Sequence, residues 1–177
     1  MKSAARPWAS SASATSGAAW LPGWFEARLL GTDPCWPEAL AAKYGIERRE
    51  LNELLAESDI VCVHCPLDET TAGFIGKAEL ALMKPSALLV NMARGGIVDE
   101  DALYEALRGK VISGAIIDAY SQEPLTASPL FSLDNVILSP HAGAFTTDAL
   151  NAMSRMSVDQ LFQYVDGATP DNLVTAE

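Results

Sequence analysis

The sequence predicts an α/β fold built on a partial, doubly wound parallel sheet, and three observations lead to this prediction. From Phe25 onward, short apolar runs alternate with helix-like segments. The runs are apolar throughout, which is typical of strands that helices cover on both faces. Polar residues follow directly on most of these runs, and ligands of such sheets bind beyond the carboxyl ends of the strands. We therefore expect the chemistry at those ends.

Each predicted strand is a short run bounded by a turn signal, such as Asp33-Pro34 after the first run and Pro66 after the second. The predicted strands are Ala27–Thr32, Asp59–His64, Ala87–Asn91, Ile112–Asp118 and Asn135–Ser139. The predicted helices are Trp36–Tyr44, Leu51–Glu57, Lys77–Met83, Glu100–Leu107 and Thr146–Val165. Asp99 is placed to cap the fourth helix. Ala149, Met153, Met156, Leu161 and Val165 are able to share one apolar side of the last helix.

The composition bounds the class of partner. A formal net charge of −11 argues against nucleic acid and against anionic lipid, since both need clustered Lys and Arg. No apolar run approaches the roughly 18–20 residues of a membrane span. Three cysteines make no disulfide framework, and the N-terminus lacks the apolar core of a secretory signal. We expect a cytoplasmic protein.

The segment Asn91-Met-Ala-Arg-Gly-Gly-Ile-Val-Asp-Glu100 places an arginine between a strand end and a helix. Gly95 and Gly96 permit a tight turn. Arg94 could then project over the strand ends and hold a carboxylate with two hydrogen bonds. A surface arginine in a turn is the alternative that position alone leaves open.

Three further polar groups follow the last two predicted strands. Asp118 ends one strand, Glu123 lies five residues on before a proline, and His141 follows the next strand in Ser139-Pro-His-Ala-Gly143. A histidine beside a carboxylate can serve as a general acid near neutral pH. A lone histidine is more often structural, but groups after successive strands favour a site.

The segment from Asp33 to about Asp171 resembles the D-isomer-specific 2-hydroxyacid dehydrogenases, the family that includes phosphoglycerate dehydrogenase and hydroxypyruvate reductase. The matching stretches are Asn91–Glu100, Asp118–Pro124, Ser139–Gly143, His64–Leu67, Thr70–Ile75 and Met83–Pro85. The resemblance implies a Rossmann-type domain that binds NAD and a small 2-hydroxy or 2-keto acid substrate, and it implies a homodimer.

By this resemblance, Arg94 would bind the substrate carboxylate and carbonyl, and His141 would deliver or accept the proton on the substrate oxygen. Glu123 would pair with His141 and raise its proton affinity. Asp118 would hold the nicotinamide carboxamide. The remaining residues predicted to line the cofactor cleft are Cys65, Pro66, Met92, Ala93, Ala142, Gly143 and Ala144.

Asp33 ends the strand that would be second in the complete sheet. A carboxylate there accepts hydrogen bonds from a ribose 2′-hydroxyl and repels a 2′-phosphate, which predicts NAD rather than NADP. A turn-forming Asp before Pro34 is the alternative. No metal site is expected, because Cys62 and Cys65 point to opposite faces of a strand and no second ligand pair exists.

Residues 1–24 contain three of the four tryptophans among small residues and show no regular period, so we expect a low-complexity leader. The first strand of the sheet and its Gly-x-Gly-x-x-Gly phosphate turn are predicted to be missing or corrupted. If the serines use TCN codons, an out-of-frame reading of residues 7–19 can restore that turn. We therefore hypothesise that residues 7–24 are a frameshifted segment, which the gene's nucleotides would decide.

The predicted organisation is a leader over residues 1–24, a partial NAD-binding domain over 25–145, and a C-terminal helix and tail over 146–177. The expected function is hydride transfer between NAD and a 2-hydroxy acid. Because the phosphate turn and most of the family's substrate domain are not recognised here, we expect weak or no activity from the chain alone. The alternative is a nonenzymatic fragment or an NAD-sensing interaction module.

Overall fold

The computed structural model describes the backbone of residues 3–7, residues 27–170 and residue 173. The chain divides into two compact units, Met1–His141 and Ala142–Glu177. The predicted boundary between the NAD-binding domain and the C-terminal helix falls four residues later, after residue 145.

The first unit contains a seven-stranded sheet in which neighbouring strands run parallel, in the order β3-β2-β1-β4-β5-β6-β7. The strands are β1 (Ser3–Pro7), β2 (Arg28–Thr32), β3 (Ile46–Arg48), β4 (Ile60–Val63), β5 (Leu88–Asn91), β6 (Gly114–Ile117) and β7 (Val136–Leu138). The helices are α1 (Glu38–Tyr44), α2 (Leu51–Glu57), α3 (Lys77–Leu82), α4 (Glu100–Arg108) and, in the second unit, α5 (Thr147–Val165), and a 3-10 helix covers Pro129–Ser132. The α/β, doubly wound prediction is confirmed.

Helix α4 shows how the sequence sets one of these elements. The Asp99 carboxylate accepts hydrogen bonds from the backbone N–H groups of Asp101 and Ala102, both at 3.0 Å, as expected of an N-cap. The helix buries Leu103, Ala106 and Leu107. These side chains join the main core, which also contains Val61 and Leu89 from the sheet.

The central strand, which we expected to be missing, is present. Ser3–Pro7 forms β1 and pairs in parallel with β2 on one side and β4 on the other. The strand lies inside the segment predicted to be a leader. The prediction failed because it required an apolar pattern, whereas a strand pairs through backbone N–H and C=O groups. The phosphate turn and the frameshift hypothesis concern residues 7–24, and all of these except Pro7 lie outside the described residues.

The edge strand β3 was not predicted, because only Ile46 of its three residues is buried. Charged side chains hold it against its neighbours. Arg28 of β2 forms an ion pair with Glu47 at 2.7 Å and with Glu57 of α2 at 2.9 Å. Arg49 bridges the same two carboxylates at 2.8 and 3.1 Å. We call Arg28, Glu47, Arg49 and Glu57 the edge ion cluster.

The second unit consists mainly of α5, which begins after the capping residue Thr146. None of its residues is buried. Of the apolar side chains predicted to share one side, Ala149 is half-buried and the other four are exposed, Leu161 by 61% and Val165 by 71%. No helix among the described residues has the length and apolar character needed to cross a membrane.

Candidate active site

The carboxyl ends of β5, β6 and β7 bring together most of the residues that the sequence singled out. Asn91 ends β5, Asp118 follows β6 directly, and His141 lies three residues beyond β7. Because these three strands are neighbours in the sheet, their loops emerge at one edge. Arg94 lies in the loop after β5 and Glu123 in the loop after β6.

His141 and Glu123 are in direct contact. His141 Nδ1 lies 2.8 Å from Glu123 Oε2 and 3.0 Å from Oε1. The backbone N–H of Tyr120 donates to the same carboxylate at 3.0 Å. The hydrogen bonds from Tyr120 and His141 lower the pKa of Glu123. The carboxylate is therefore ionised near neutral pH and can only accept, so the Nδ1 atom carries the proton and donates it to Glu123.

Asp118 is a buried carboxylate, with 3% of its surface exposed. The hydroxyl of Ser139 donates to Asp118 Oδ1. The Asp118 backbone N–H donates to the Asn91 carbonyl at 2.9 Å. These contacts tie the ends of three strands together and hold Asp118 at the sheet edge.

The loop that carries Arg94 is held by the buried side chain of Asn91. Its Nδ2 donates to the Arg94 carbonyl at 3.0 Å, and its Oδ1 accepts from the Ala93 N–H at 3.2 Å. Arg94 is exposed, and its guanidinium donates to the Ala93 carbonyl at 2.7 Å. Arg94 is therefore accessible to a small anion at this edge.

Gly95 lies directly against the loop that carries Glu123. A Cβ at Gly95 would lie 1.8 Å from the carbonyl carbon and oxygen of Tyr120. Only glycine permits this approach, and Gly96 beside it has φ +78°, a left-handed conformation that favours glycine. The Arg94 loop and the Tyr120 loop are thus in backbone contact.

The other predicted cofactor residues fall in four places. Asp33 follows β2, is 4% exposed, and accepts a hydrogen bond from the Cys35 N–H at 2.7 Å. Cys65 and Pro66 follow β4, and Met92 and Ala93 follow β5. Ala142, Gly143 and Ala144 belong to the second unit. The structure therefore brings Asp33, Cys65, Pro66, Met92 and Ala93 to the carboxyl ends of the strands. The prediction for Ala142, Gly143 and Ala144 rests on the sequence alone.

A cleft of about 240 Å³ opens beside the Glu123–His141 pair. Its lining residues are Tyr120, Glu123, Pro124, Leu125, Phe131, Leu138, Ser139, Pro140 and His141. The cleft is mostly apolar, so the Glu123–His141 pair lies at the border of a surface that water solvates poorly.

The described residues contain no group of three or more side chains that could bind a metal ion. Cys62 and Cys65 form no disulfide bond, and both are buried. Desolvation by burial raises the pKa of Cys65 to about 11. The Cys-x-x-Cys spacing therefore places two buried cysteines in the core, and the Cys65 thiol is protonated near neutral pH.

Sequence reasoning assigned no role to Tyr120, Ser139 or Asn91. The Tyr120 hydroxyl donates to the carbonyls of Ile117 and Ser139, both at 2.9 Å. Tyr120 and Ser139 hold backbone and carboxylate groups across strands, whereas Asn91 holds the backbone of its own loop. The sequence signal for these roles was that Tyr120, Ser139 and Asn91 lie within two or three residues of Asp118, His141 and Arg94.

Comparisons with known proteins identify the family. The family model described as "D-isomer specific 2-hydroxyacid dehydrogenase, NAD binding domain" matches residues 17–143. The chain is 40% identical over 151 residues to a D-3-phosphoglycerate dehydrogenase of Methanocaldococcus jannaschii, covering 85% of this chain and 29% of that protein. It is 44% identical over 153 residues to a glyoxylate reductase of Pyrococcus furiosus, covering 86% and 46%. The chain thus spans less than half the length of these curated relatives.

Solved structures give the same result. A D-lactate dehydrogenase with NAD+ from Lactobacillus jensenii matches with a TM-score of 0.87 and 26% identity, covering 99% of this chain and 56% of that one. The apo D-lactate dehydrogenase from Escherichia coli matches with a TM-score of 0.86 and 31% identity, covering 98% and 54%.

Proposed function

Because the chain belongs to the D-isomer-specific 2-hydroxyacid dehydrogenase family and carries its NAD-binding domain, we propose that it supplies the cofactor site and the acid–base pair for interconversion of a 2-hydroxy acid and a 2-keto acid. The observation that carries this proposal is the contact between His141 and Glu123 at 2.8 Å, beside an exposed arginine at the same sheet edge.

The donor set at the strand ends fits NAD. The Asp33 carboxylate follows β2, where an acidic group accepts hydrogen bonds from the adenosine ribose. The buried Asp118 carboxylate follows β6, where it would hold the carboxamide of the nicotinamide. Cys65, Pro66, Met92 and Ala93 would line the cleft between these carboxylates. For Ala142, Gly143 and Ala144, the proposed contact with the cofactor rests on the family resemblance alone. When bound, NAD supplies or accepts the hydride.

The protein's own groups supply position and proton transfer. Arg94 would hold the substrate carboxylate by two hydrogen bonds, which fixes the orientation of the carbonyl. His141 uses Nδ1 to donate to Glu123, so its Nε2 atom would exchange the proton with the substrate oxygen. The Glu123 carboxylate fixes the tautomer and stabilises the positive charge of the protonated ring.

The whole reaction requires groups from the remaining length of such a protein, since the chain spans only part of its relatives. We therefore propose weak or no turnover by this chain alone, and activity as part of a homodimer in the cytoplasm. Glyoxylate is the first test substrate, because several curated relatives are named glyoxylate reductase, and hydroxypyruvate and pyruvate are two further 2-keto acids to test. The competing proposal is a nonenzymatic NAD-sensing module, which the exposed apolar side chains of α5 favour because they suit contact with another chain.

The first test is NADH binding to the purified, monodisperse chain by calorimetry. Micromolar binding supports the enzyme if the chain also turns over one of the three keto acids and a His141→Gln variant does not. Binding without turnover, with a stable oligomer, supports the module. Absence of binding at millimolar NADH contradicts both and marks the catalytic residues as idle.

A further inference from the structure

The carboxyl ends of β2 and β3 carry a cationic side chain that the proposed chemistry does not use. In the β2–β3 ladder Arg48 is the register partner of Gly31, and the Arg49 N–H donates to the Gly31 carbonyl at 2.9 Å. Arg48 is the last residue of β3. It therefore lies beside the end of β2, which leads directly into Asp33.

Trp36 orients this arginine. A Cβ at Gly31 would lie 3.1 Å from the Trp36 ring, so the absence of a side chain lets the indole lie against β2. The Arg48 guanidinium stands over the same ring, 5.6 Å from its centroid, within the range of a cation–π contact. The exposed arginine is thus held at the strand end rather than extended into solvent.

Arg48 differs from the neighbouring arginines in having no carboxylate that neutralises its charge among the described residues. Arg28 and Arg49 are both paired with Glu47 and Glu57, whereas Arg48 forms no ion pair with any residue in the described ranges. It acts on Asp33 at longer range. Burial raises the pKa of Asp33, and the positive charge of Arg48 opposes that rise. A carboxylate and a guanidinium therefore share the edge where the adenosine ribose of a dinucleotide would lie.

We propose that Arg48 is a second determinant of cofactor selectivity, which attracts a ribose 2′-phosphate and so reduces the preference for NAD that Asp33 sets. This inference rests on the proposed function, since it concerns the same cofactor site. A 2′-phosphate carries between one and two negative charges at neutral pH, and a guanidinium can bind it with paired hydrogen bonds. Asp33 repels that group and Arg48 opposes the repulsion.

The test compares two probes of the adenosine site, ADP-ribose and its 2′-phosphorylated form, by calorimetry on the full chain. We expect Arg48→Gln to weaken binding of the phosphorylated probe by about threefold to tenfold, the effect of one exposed charge on a phosphate dianion. Binding of ADP-ribose should stay unchanged. The difference should shrink as salt is raised, because the charges are exposed.

Arg108→Gln is the matched control. It makes the same change in net charge at the end of α4, and it should leave the ratio of the two affinities unchanged. Asp33→Asn supplies a second measurement. It should strengthen binding of the phosphorylated probe, and this gain should be larger when Arg48 is present than in the Arg48→Gln background.

Three outcomes overturn the inference in distinguishable ways. If NADH and ADP-ribose bind but Arg48→Gln leaves the affinity ratio unchanged, the selectivity role of Arg48 is wrong and the proposed function stands. If Arg108→Gln changes the ratio equally, the effect is one of net charge. If neither ADP-ribose nor NADH binds, the inference and the proposed function both fail.

Discussion

Glu123 and His141 are only partly covered, with side-chain exposures of 37% and 45%. Their contact is therefore a weak source of stability and matters chiefly for the orientation of the imidazole. Glu123→Gln should lower kcat by about 100- to 10,000-fold, the typical contribution of a positioned general acid–base group, while NADH affinity stays constant. Steady-state assays at high protein concentration give kcat. Glu105→Gln, at an exposed carboxylate on α4, is the control, and an unchanged kcat for Glu123→Gln would contradict the assignment.

The three thiols should differ in reactivity. Cys35 is exposed, whereas Cys62 and Cys65 are buried, and the raised pKa of Cys65, about 11, keeps that thiol protonated at pH 8. Iodoacetamide at pH 8 should label one site rapidly in the native protein and all three in denaturant, as counted by intact mass. Cys35→Ser should abolish the rapid phase; rapid labelling of Cys65 would show that its loop opens.

At the scale of the elements, Gly95 decides whether the loops after β5 and β6 can meet. Gly95→Ala should destabilise the fold by about 3 kcal/mol, because backbone atoms must move to admit the methyl group. Urea unfolding measures this loss. Gly76→Ala is the control, since a Cβ there would lie 3.4 Å from a flexible Glu79 side chain. Equal stability of the two variants would refute the close approach.

The edge ion cluster should make stability depend on acid pH. Hydrogen bonds from Arg28 lower the pKa of Glu47 from 4.5 to about 2. A carboxyl whose pKa is depressed by folding contributes stability that is fully present above pH 4.5 and is lost as the pH falls toward 2. Urea midpoints measured between pH 6 and pH 3 should therefore decrease, and Glu47→Gln should flatten that decrease. A slope that Glu47→Gln leaves intact would assign the acid sensitivity to other carboxylates.

The elements that sequence predicted correctly are those with an apolar run or an amphipathic face, such as β5 and α4. Two strands lacked this signal. Ser3–Pro7 pairs through its backbone, and Ile46–Arg48 is held by the ion pairs of Glu47, one of them with Arg28, 19 positions away. Positions at strand ends predicted where Asp118 and His141 lie. The role of Ser139 could not be predicted, since it depends on a contact with Asp118 across strands, and that of Asn91 depends on the path of the loop that follows it.

For the molecule as a whole, ligand binding should be visible as stability. A ligand that binds only the folded state stabilises it by about 2.7 kcal/mol at a concentration of 100 Kd. We therefore expect the melting temperature to rise with NADH concentration, as measured by differential scanning calorimetry. Asp118→Asn should reduce the rise at a given NADH concentration. A melting temperature that NADH does not change would contradict the NAD site.

The backbone contact between Gly95 and Tyr120 also bears on how the molecule moves. Arg94 precedes this contact and Glu123 follows it, and neither loop can slide past the other without separating the two backbones. We therefore expect the loops that carry Arg94 and Glu123 to move together. Opening and closing around a substrate is then expected in other segments, and relaxation measurements on Arg94 and Glu123 should report a common, slow timescale.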